Sequence, residues 1–86
     1  METSEAKSGI RLFPRAAEVV RGVLRLGQRS HRPGEWRAIP AREHVRHAVE
    51  HLRRLQAESD GAPKTGEDHL GHALTRLLMA AECRED

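Results

Sequence analysis

With 86 residues and 37% hydrophobic content, the chain allows one domain whose core is so small that we expect it to be completed by homo-oligomerisation. Lys and Arg number 15 against 13 Asp and Glu, and this mild, interspersed net charge of +2 argues against nucleic acid as a partner. A single cysteine, Cys83, excludes an internal disulfide, while the lack of a long apolar run and of a signal peptide predicts a cytoplasmic protein with no membrane partner.

The first predicted elements are a leader and a helix. Residues 1–9 are small and polar and are predicted to be disordered. A helix then begins at Pro14, which suits a first helical turn, and ends at Gly27, which offers a left-handed stop. Between them, apolar residues recur at helical spacing and predict a buried stripe: Ala16, Val19, Val20, Val23 and Leu24. Phe13, just before the helix, suggests a hydrophobic staple.

The next segment, from Gln28 to Pro40, contains Pro and Gly without a sustained period, and it is predicted to be a loop. It carries Trp36, which is interpreted either as a core plug, the favoured position for an isolated tryptophan in a small helical domain, or as a platform that stacks a base beside Arg37. A second helix follows up to about Ala57. Its predicted core stripe is apolar: Ala41, Val45, Ala48, Val49, Leu52 and Leu55.

The linker "ESDGAPKTG" ends the second helix, and a third helix begins where Thr65 and Asp68 form a capping-box-like pair. The predicted core stripe of the third helix is also apolar: Leu70, Ala73, Leu74, Leu77, Leu78 and Ala81. These elements predict an all-α fold, a small bundle of three main helices. We expect a single helical domain over residues 10–82 and a short charged tail at 83–86.

A helical wheel at about 100° per residue gathers polar residues beside two of the stripes. On the second helix they are His44, His47 and His51, and on the third helix they are His69, His72 and Arg76. Two helices that share a core would bring these flanks together in one seam, with Glu50, Glu67 and Asp68 at its rim. Histidines three or four residues apart have the spacing of metal ligands, although each one taken alone is equally an ordinary half-exposed residue beside a core.

The order of these signals resembles the small dATP/dGTP diphosphohydrolase proteins of bacteriophages, which are similar to the all-α MazG-like nucleoside triphosphate pyrophosphohydrolases. The first helix ends "VLRLG", the loop has "EWR", the second helix has "EHL", the linker has "TG" and the third helix has "HLGHA". The resemblance covers nearly all of the chain from Ile10 to Glu82. Its most specific motif, "HLGHA" following "HL", carries His51, His69 and His72.

The resemblance implies hydrolysis of a purine (deoxy)nucleoside triphosphate to monophosphate and pyrophosphate with a divalent metal. It places the metal on His51, His69 and His72. The catalytic acids would be Glu50 and Asp68. The nucleotide-binding residues would be Trp36, Arg37 and Arg76. Magnesium or manganese is favoured, and because histidine is a poor ligand for hard magnesium, cobalt or zinc is the alternative.

Two other functions stay open. The MazG-like enzymes carry Glu-x-x-Glu and Glu-x-x-Asp pairs on neighbouring helices, and no such pair stands beside the histidines of this chain. The second hypothesis is therefore a catalytically inactive relative that binds or sequesters a purine nucleotide or a nucleotide-derived signal. The third is a purely structural or protein-partner role, in which the histidine flank is only a polar rim.

Overall fold

A computed structural model describes residues 9–85, and the disorder predicted for 1–9 therefore lies, apart from Gly9, outside the described residues. The described chain forms three α-helices joined by irregular segments and two short 3-10 turns, with no strand. The helices are α1 (Pro14–Gly27), α2 (Ala41–Ser59) and α3 (His69–Cys83), and the 3-10 turns are Ile10–Leu12 and Glu35–Ala38. The all-α class and the three main helices are confirmed. In this described range, no helix is both long and apolar enough to cross a membrane.

The central helix of the fold is α3. It contacts both α1 and α2, whereas no Cα atom of α1 lies within 8 Å of a Cα atom of α2. Side chains of α2 meet those of α3 in reverse order along the chain, since His44 contacts Arg76 and His51 contacts His69. These two helices therefore form an antiparallel hairpin, and α1 lies along another side of α3.

The interior of this arrangement is built from small and polar side chains. Within residues 9–85, the buried hydrophobic side chains all belong to alanine: Ala17, Ala48, Ala73 and Ala80. His44, His69 and Thr75 are also buried, at 0, 1 and 2% exposure. Alanine and the flat imidazole ring let α2 and α3 approach closely, which the longer aliphatic side chains would prevent.

The predicted core stripes are therefore wrong for most of their large residues. Seven of them are exposed to solvent: Val19, Val45, Val49, Leu52, Leu70, Leu77 and Leu78. The helical period correctly located an apolar arc on each helix, but α2 and α3 meet through the neighbouring arc, which carries histidine and alanine. A period identifies the faces of a helix, and it does not determine which face the adjacent helix covers.

The ends of the helices correct three local predictions. The side chain of Asp68 accepts a hydrogen bond from the backbone N–H of Gly71 at 3.0 Å and is the N-cap of α3, so Thr65 does not cap this helix. Phe13 is itself the N-cap residue of α1 and is 61% exposed, so it is no hydrophobic staple. Cys83 ends α3 and does not belong to the tail.

Candidate functional site

The contact between α2 and α3 contains a cluster of three histidines. The Nδ1 atoms of His51 and His69 lie 3.1 Å apart, and the ring of His72 stacks on that of His51 with 5.0 Å between the centroids. His69 follows directly on the cap of α3, and His72 lies one turn later, so both project towards the same stretch of α2. The structure thus brings together the three histidines that the sequence predicted as metal ligands.

One carboxylate orients the buried histidine of this cluster. His69 Nε2 donates to Glu58 Oε2 at 3.1 Å, and the same oxygen accepts from the backbone N–H of Thr65 at 3.2 Å and from its hydroxyl at 3.3 Å. The backbone bond from Thr65 lowers the pKa of Glu58, and the bond from His69 adds to this effect. Because Nε2 of His69 carries the proton, Nδ1 of the neutral ring keeps a lone pair, and this lone pair faces Nδ1 of His51.

A second carboxylate lies at the outer edge of the cluster. Glu67 Oε2 is 3.7 Å from Nδ1 of His51 and 3.8 Å from Nδ1 of His69. One ligand atom from each of these three residues lies within 4.8 Å of the others, which is close enough to share one metal ion. Two imidazole nitrogens and one carboxylate oxygen suit manganese, cobalt or zinc better than magnesium, which prefers oxygen ligands. The residues therefore fit a divalent transition metal.

Burial shifts two histidines of α2, His51 and His47, towards the neutral form, which is the form that binds a metal. Burial lowers the pKa of His51, and the neighbouring His72 lowers it further. Burial also lowers the pKa of His47, with a contribution from the positive charge of Arg76. A glutamate at the rim, Glu67, opposes the shift at His51 but does not reverse it.

A second polar network links the loop to both hairpin helices. His44, which is fully buried, has its Nε2 atom 3.0 Å from the carbonyl oxygen of Trp36, so Nε2 donates this bond. Its Nδ1 atom therefore accepts from Nη1 of Arg76, also at 3.0 Å. Both ring nitrogens are satisfied, and His44 fixes the loop and the guanidinium relative to each other. Burial lowers the pKa of Arg76, because partial removal of the guanidinium from water disfavours its charged form.

Trp36 is half-buried, so it is neither a full core plug nor a free platform. Its ring forms a T-shaped pair with the His44 ring at a centroid distance of 6.3 Å, and the guanidinium carbon of Arg37 lies 4.6 Å from the centre of the indole. The Arg37 stack is a cation–π contact. Arg37 therefore covers Trp36, whereas Arg76 is held by His44.

These two networks border one cleft of about 440 Å³ between the end of α1, the loop and α3. Trp36, His72 and Arg76 contribute to its wall, and the loop adds His31 and Arg32. Its apolar wall includes Val23, Leu24, Ile39 and Met79. Arg37 is not part of this wall. His72 has two neighbourhoods, since it lines the cleft and also stacks on His51 of the histidine cluster.

The remaining predicted site residues lie apart from this geometry. Glu50 accepts from Arg46 at 3.1 Å and lies 3.7 Å from His47, on a half-exposed side of α2. Asp68 is occupied as the cap of α3. Sequence reasoning missed Glu58 as a member of the cluster. Its signal was available, because Glu58 follows His51 by seven residues, two helical turns, and so shares its face.

A family model described as "dATP/dGTP diphosphohydrolase, N-terminal" matches residues 3–86. No curated protein and no solved structure gives a significant match. The matched range contains the whole histidine cluster and the cleft.

Proposed function

Because the chain belongs to the dATP/dGTP diphosphohydrolase N-terminal family, we propose that it hydrolyses a purine (deoxy)nucleoside triphosphate to the monophosphate and pyrophosphate. The observation that carries this proposal is the position of His72 in the wall of the cleft and against His51. A triphosphate in the cleft would extend its phosphates towards the histidine cluster. Binding and a metal-dependent reaction would then share one continuous surface.

The cleft offers chemistry suited to such a ligand. Its apolar wall and the half-buried Trp36 would hold the base. Arg76 is the cation best placed for the phosphates, because burial strengthens its charge-assisted hydrogen bonds and His44 fixes its position. Arg32 and His31 stand at the loop side of the same cleft and would add donors. Arg37 acts through Trp36, whose ring it covers.

The divalent ion would be held by His51, His69 and Glu67, whose ligand atoms lie within reach of one another. When bound, it would supply positive charge for the phosphates and an activated water. Glu58 keeps the ligand nitrogen of His69 unprotonated, as carboxylates behind metal-binding histidines commonly do. The acidic residue at the metal would be Glu67 and not Glu50 or Asp68. Glu50 pairs with Arg46, and Asp68 caps α3.

A second candidate function is nucleotide binding without hydrolysis. Among the described residues, only the carboxylate of Glu67 reaches Nδ1 of both His51 and His69, whereas a hydrolytic site usually needs further acidic groups to hold metal and water. The same cleft and Arg76 would then bind or sequester a purine nucleotide or a nucleotide-derived signal. In the third hypothesis, a structural or protein-partner role, neither nucleotide nor metal changes the melting temperature.

The test is incubation of each deoxynucleoside triphosphate with magnesium, manganese or cobalt, followed by anion-exchange chromatography. The proposal expects a purine monophosphate and pyrophosphate, and it expects His69→Ala to abolish them. His47→Ala is the control, because this histidine lies on α2, the other helix of the hairpin, and contacts Arg46 and Glu50 outside the cluster. Tight calorimetric binding with no product would select the binding protein. Neither binding nor product would leave the structural role.

A further inference from the structure

Two sides of the cleft are joined from behind by a buried histidine. The ring of His44 lies between the loop that carries Trp36 and the guanidinium of Arg76 on α3. Its Nε2 donates to the carbonyl oxygen of Trp36, and its Nδ1 accepts from Nη1 of Arg76, both at 3.0 Å. Trp36 and Arg76 line the cleft, whereas His44 does not. His44 therefore acts on any ligand of the cleft through these two residues.

The guanidinium of Arg76 is half-buried and has a neutral partner. Within residues 9–85, no carboxylate forms a salt bridge with Arg76, and the neighbouring charge of Arg46 is also positive. Nδ1 of His44 offers a lone pair and no charge, so it orients the guanidinium without neutralising it. A carboxylate in the same place would compete with an incoming anion for Arg76. His44 therefore leaves the charge of Arg76 available to a ligand.

The bond to Trp36 attaches the loop to the hairpin. The same carbonyl oxygen accepts from the backbone N–H of Ile39 at 3.1 Å within the loop, and the thiol of Cys83 approaches it at 3.8 Å. The bond from His44 is the one of these three that ties the loop to α2. Because both bonds of His44 end on one rigid ring, the loop and the guanidinium cannot move independently without breaking one of them.

We propose that His44 is a positioning residue that couples the base half of the cleft, at Trp36, to the phosphate half, at Arg76. The inference rests on the proposed function, in which these halves hold the base and the phosphates of a purine nucleotide. A base that docks against Trp36 orders the loop, and through His44 this order extends to the guanidinium. Because coupling between two sites is reciprocal, phosphates that order Arg76 also favour the base.

The two parts of the ligand, added as separate molecules, test this coupling in the unmodified protein. Tripolyphosphate is titrated by calorimetry with and without saturating deoxyadenosine or deoxyguanosine. The nucleoside should raise tripolyphosphate affinity by about fivefold or more, which is within the usual range for coupled sites. Independent binding of the two parts would overturn the inference and leave the proposed function standing. If whole nucleotides do not bind either, the proposed function fails and the inference fails with it.

Two amide variants separate the two bonds of His44. The side-chain oxygen of asparagine lies as far from the backbone as Nδ1 of histidine, and the side-chain nitrogen of glutamine lies as far as Nε2. A guanidinium only donates hydrogen bonds, and a carbonyl oxygen only accepts them. His44→Asn should therefore keep the bond to Arg76 and lose the bond to Trp36, whereas His44→Gln should do the reverse.

Each half of the cleft has its own measurement. The ratio of triphosphate to monophosphate affinity reports on Arg76, because the base contributes equally to both ligands. The fluorescence of Trp36, the single tryptophan of the chain, reports on the loop. His44→Gln should lower the affinity ratio by about tenfold and leave the fluorescence unchanged, since it removes one hydrogen bond to a charged group. His44→Asn should shift the fluorescence and keep most of the ratio.

His47→Asn and His47→Gln are the matched controls, because His47 lies one turn further along α2 and contacts Arg46 and Glu50. Both should match the unmodified chain in affinity ratio and in fluorescence. If the two His44 variants lose stability but change the ratio and the fluorescence alike, His44 serves the fold alone and the inference is overturned. Should a His44 variant fail to fold, the titration of tripolyphosphate with the unmodified chain decides.

Discussion

Glu58 accepts a hydrogen bond from Nε2 of His69 at 3.1 Å, and this bond leaves the other ring nitrogen of His69 unprotonated and facing His51. If that nitrogen binds a metal, Glu58→Ala should weaken Co²⁺ binding by about 10- to 100-fold, the range found for carboxylates behind metal-binding histidines. The measurement is titration of the visible absorption of Co²⁺. Glu82→Ala, at an exposed glutamate near the end of α3, should bind as the unmodified chain does. Equal affinity for both variants would remove Glu58 from the site.

His72 connects the cleft to the histidine cluster. His72→Ala should weaken nucleotide binding in calorimetry by about tenfold or more, while the free energy of unfolding changes by only about 0.5 kcal/mol, because the side chain is half-buried and makes no hydrogen bond that holds the fold. If nucleotide affinity falls no more than the small loss of folding stability accounts for, His72 lines the cleft without contacting the nucleotide.

Arg76 should discriminate between phosphate chains. Arg76→Ala is expected to reduce triphosphate affinity more than monophosphate affinity, because its guanidinium would pair with the outer phosphates. The variant also removes the donor to Nδ1 of buried His44, which should cost about 1 to 3 kcal/mol of stability. Arg76→Lys, which keeps the charge, should recover part of the discrimination. If both variants lose the two affinities equally, Arg76 serves the fold alone.

Gly71 of α3 lies against Val19 of α1 and against the side chain of Asp68, which caps α3. A Cβ atom at Gly71 would lie 2.6 Å from Cγ1 of Val19, so Gly71→Ala should destabilise the protein by about 1 to 3 kcal/mol in urea unfolding. The control is Gly22→Ala in α1, where a Cβ atom meets no atom within 4 Å. This substitution should stabilise the helix by about 0.5 to 1 kcal/mol. The decisive result is that the two substitutions change the free energy of unfolding in opposite directions. Equal changes would contradict the close packing at Gly71.

The helices could be predicted from the sequence, because helix formation and termination depend on residues that are close together in the chain. Examples are the spacing of the apolar residues, Pro14 in the first turn of α1 and the glycines of the linker. The sequence also predicted that the flank carrying His51 and the flank carrying His69 share a seam, since equivalent positions on two helices tend to meet. It could not show that this flank is the buried one. Burial of His69 depends on partners that are distant in sequence, above all Glu58, and the aliphatic stripe would have been the ordinary choice for a core.

Because histidine side chains rather than leucine side chains fill the seam between α2 and α3, the stability of the fold is sensitive to acid. His51 and His47 have pKa values below the ordinary histidine value of about 6.5, so the unfolded chain binds more protons than the folded chain does. Their contribution to stability is therefore present above about pH 6.5 and is lost as the pH falls through their folded-state pKa values. The melting temperature should drop between about pH 7.5 and about pH 5 in buffers of constant ionic strength. A melting temperature that holds or rises over this interval would show that the seam tolerates charge. An ordinary leucine seam contains nothing that acid could charge, whereas here mild acidification alone should loosen the joint between two helices.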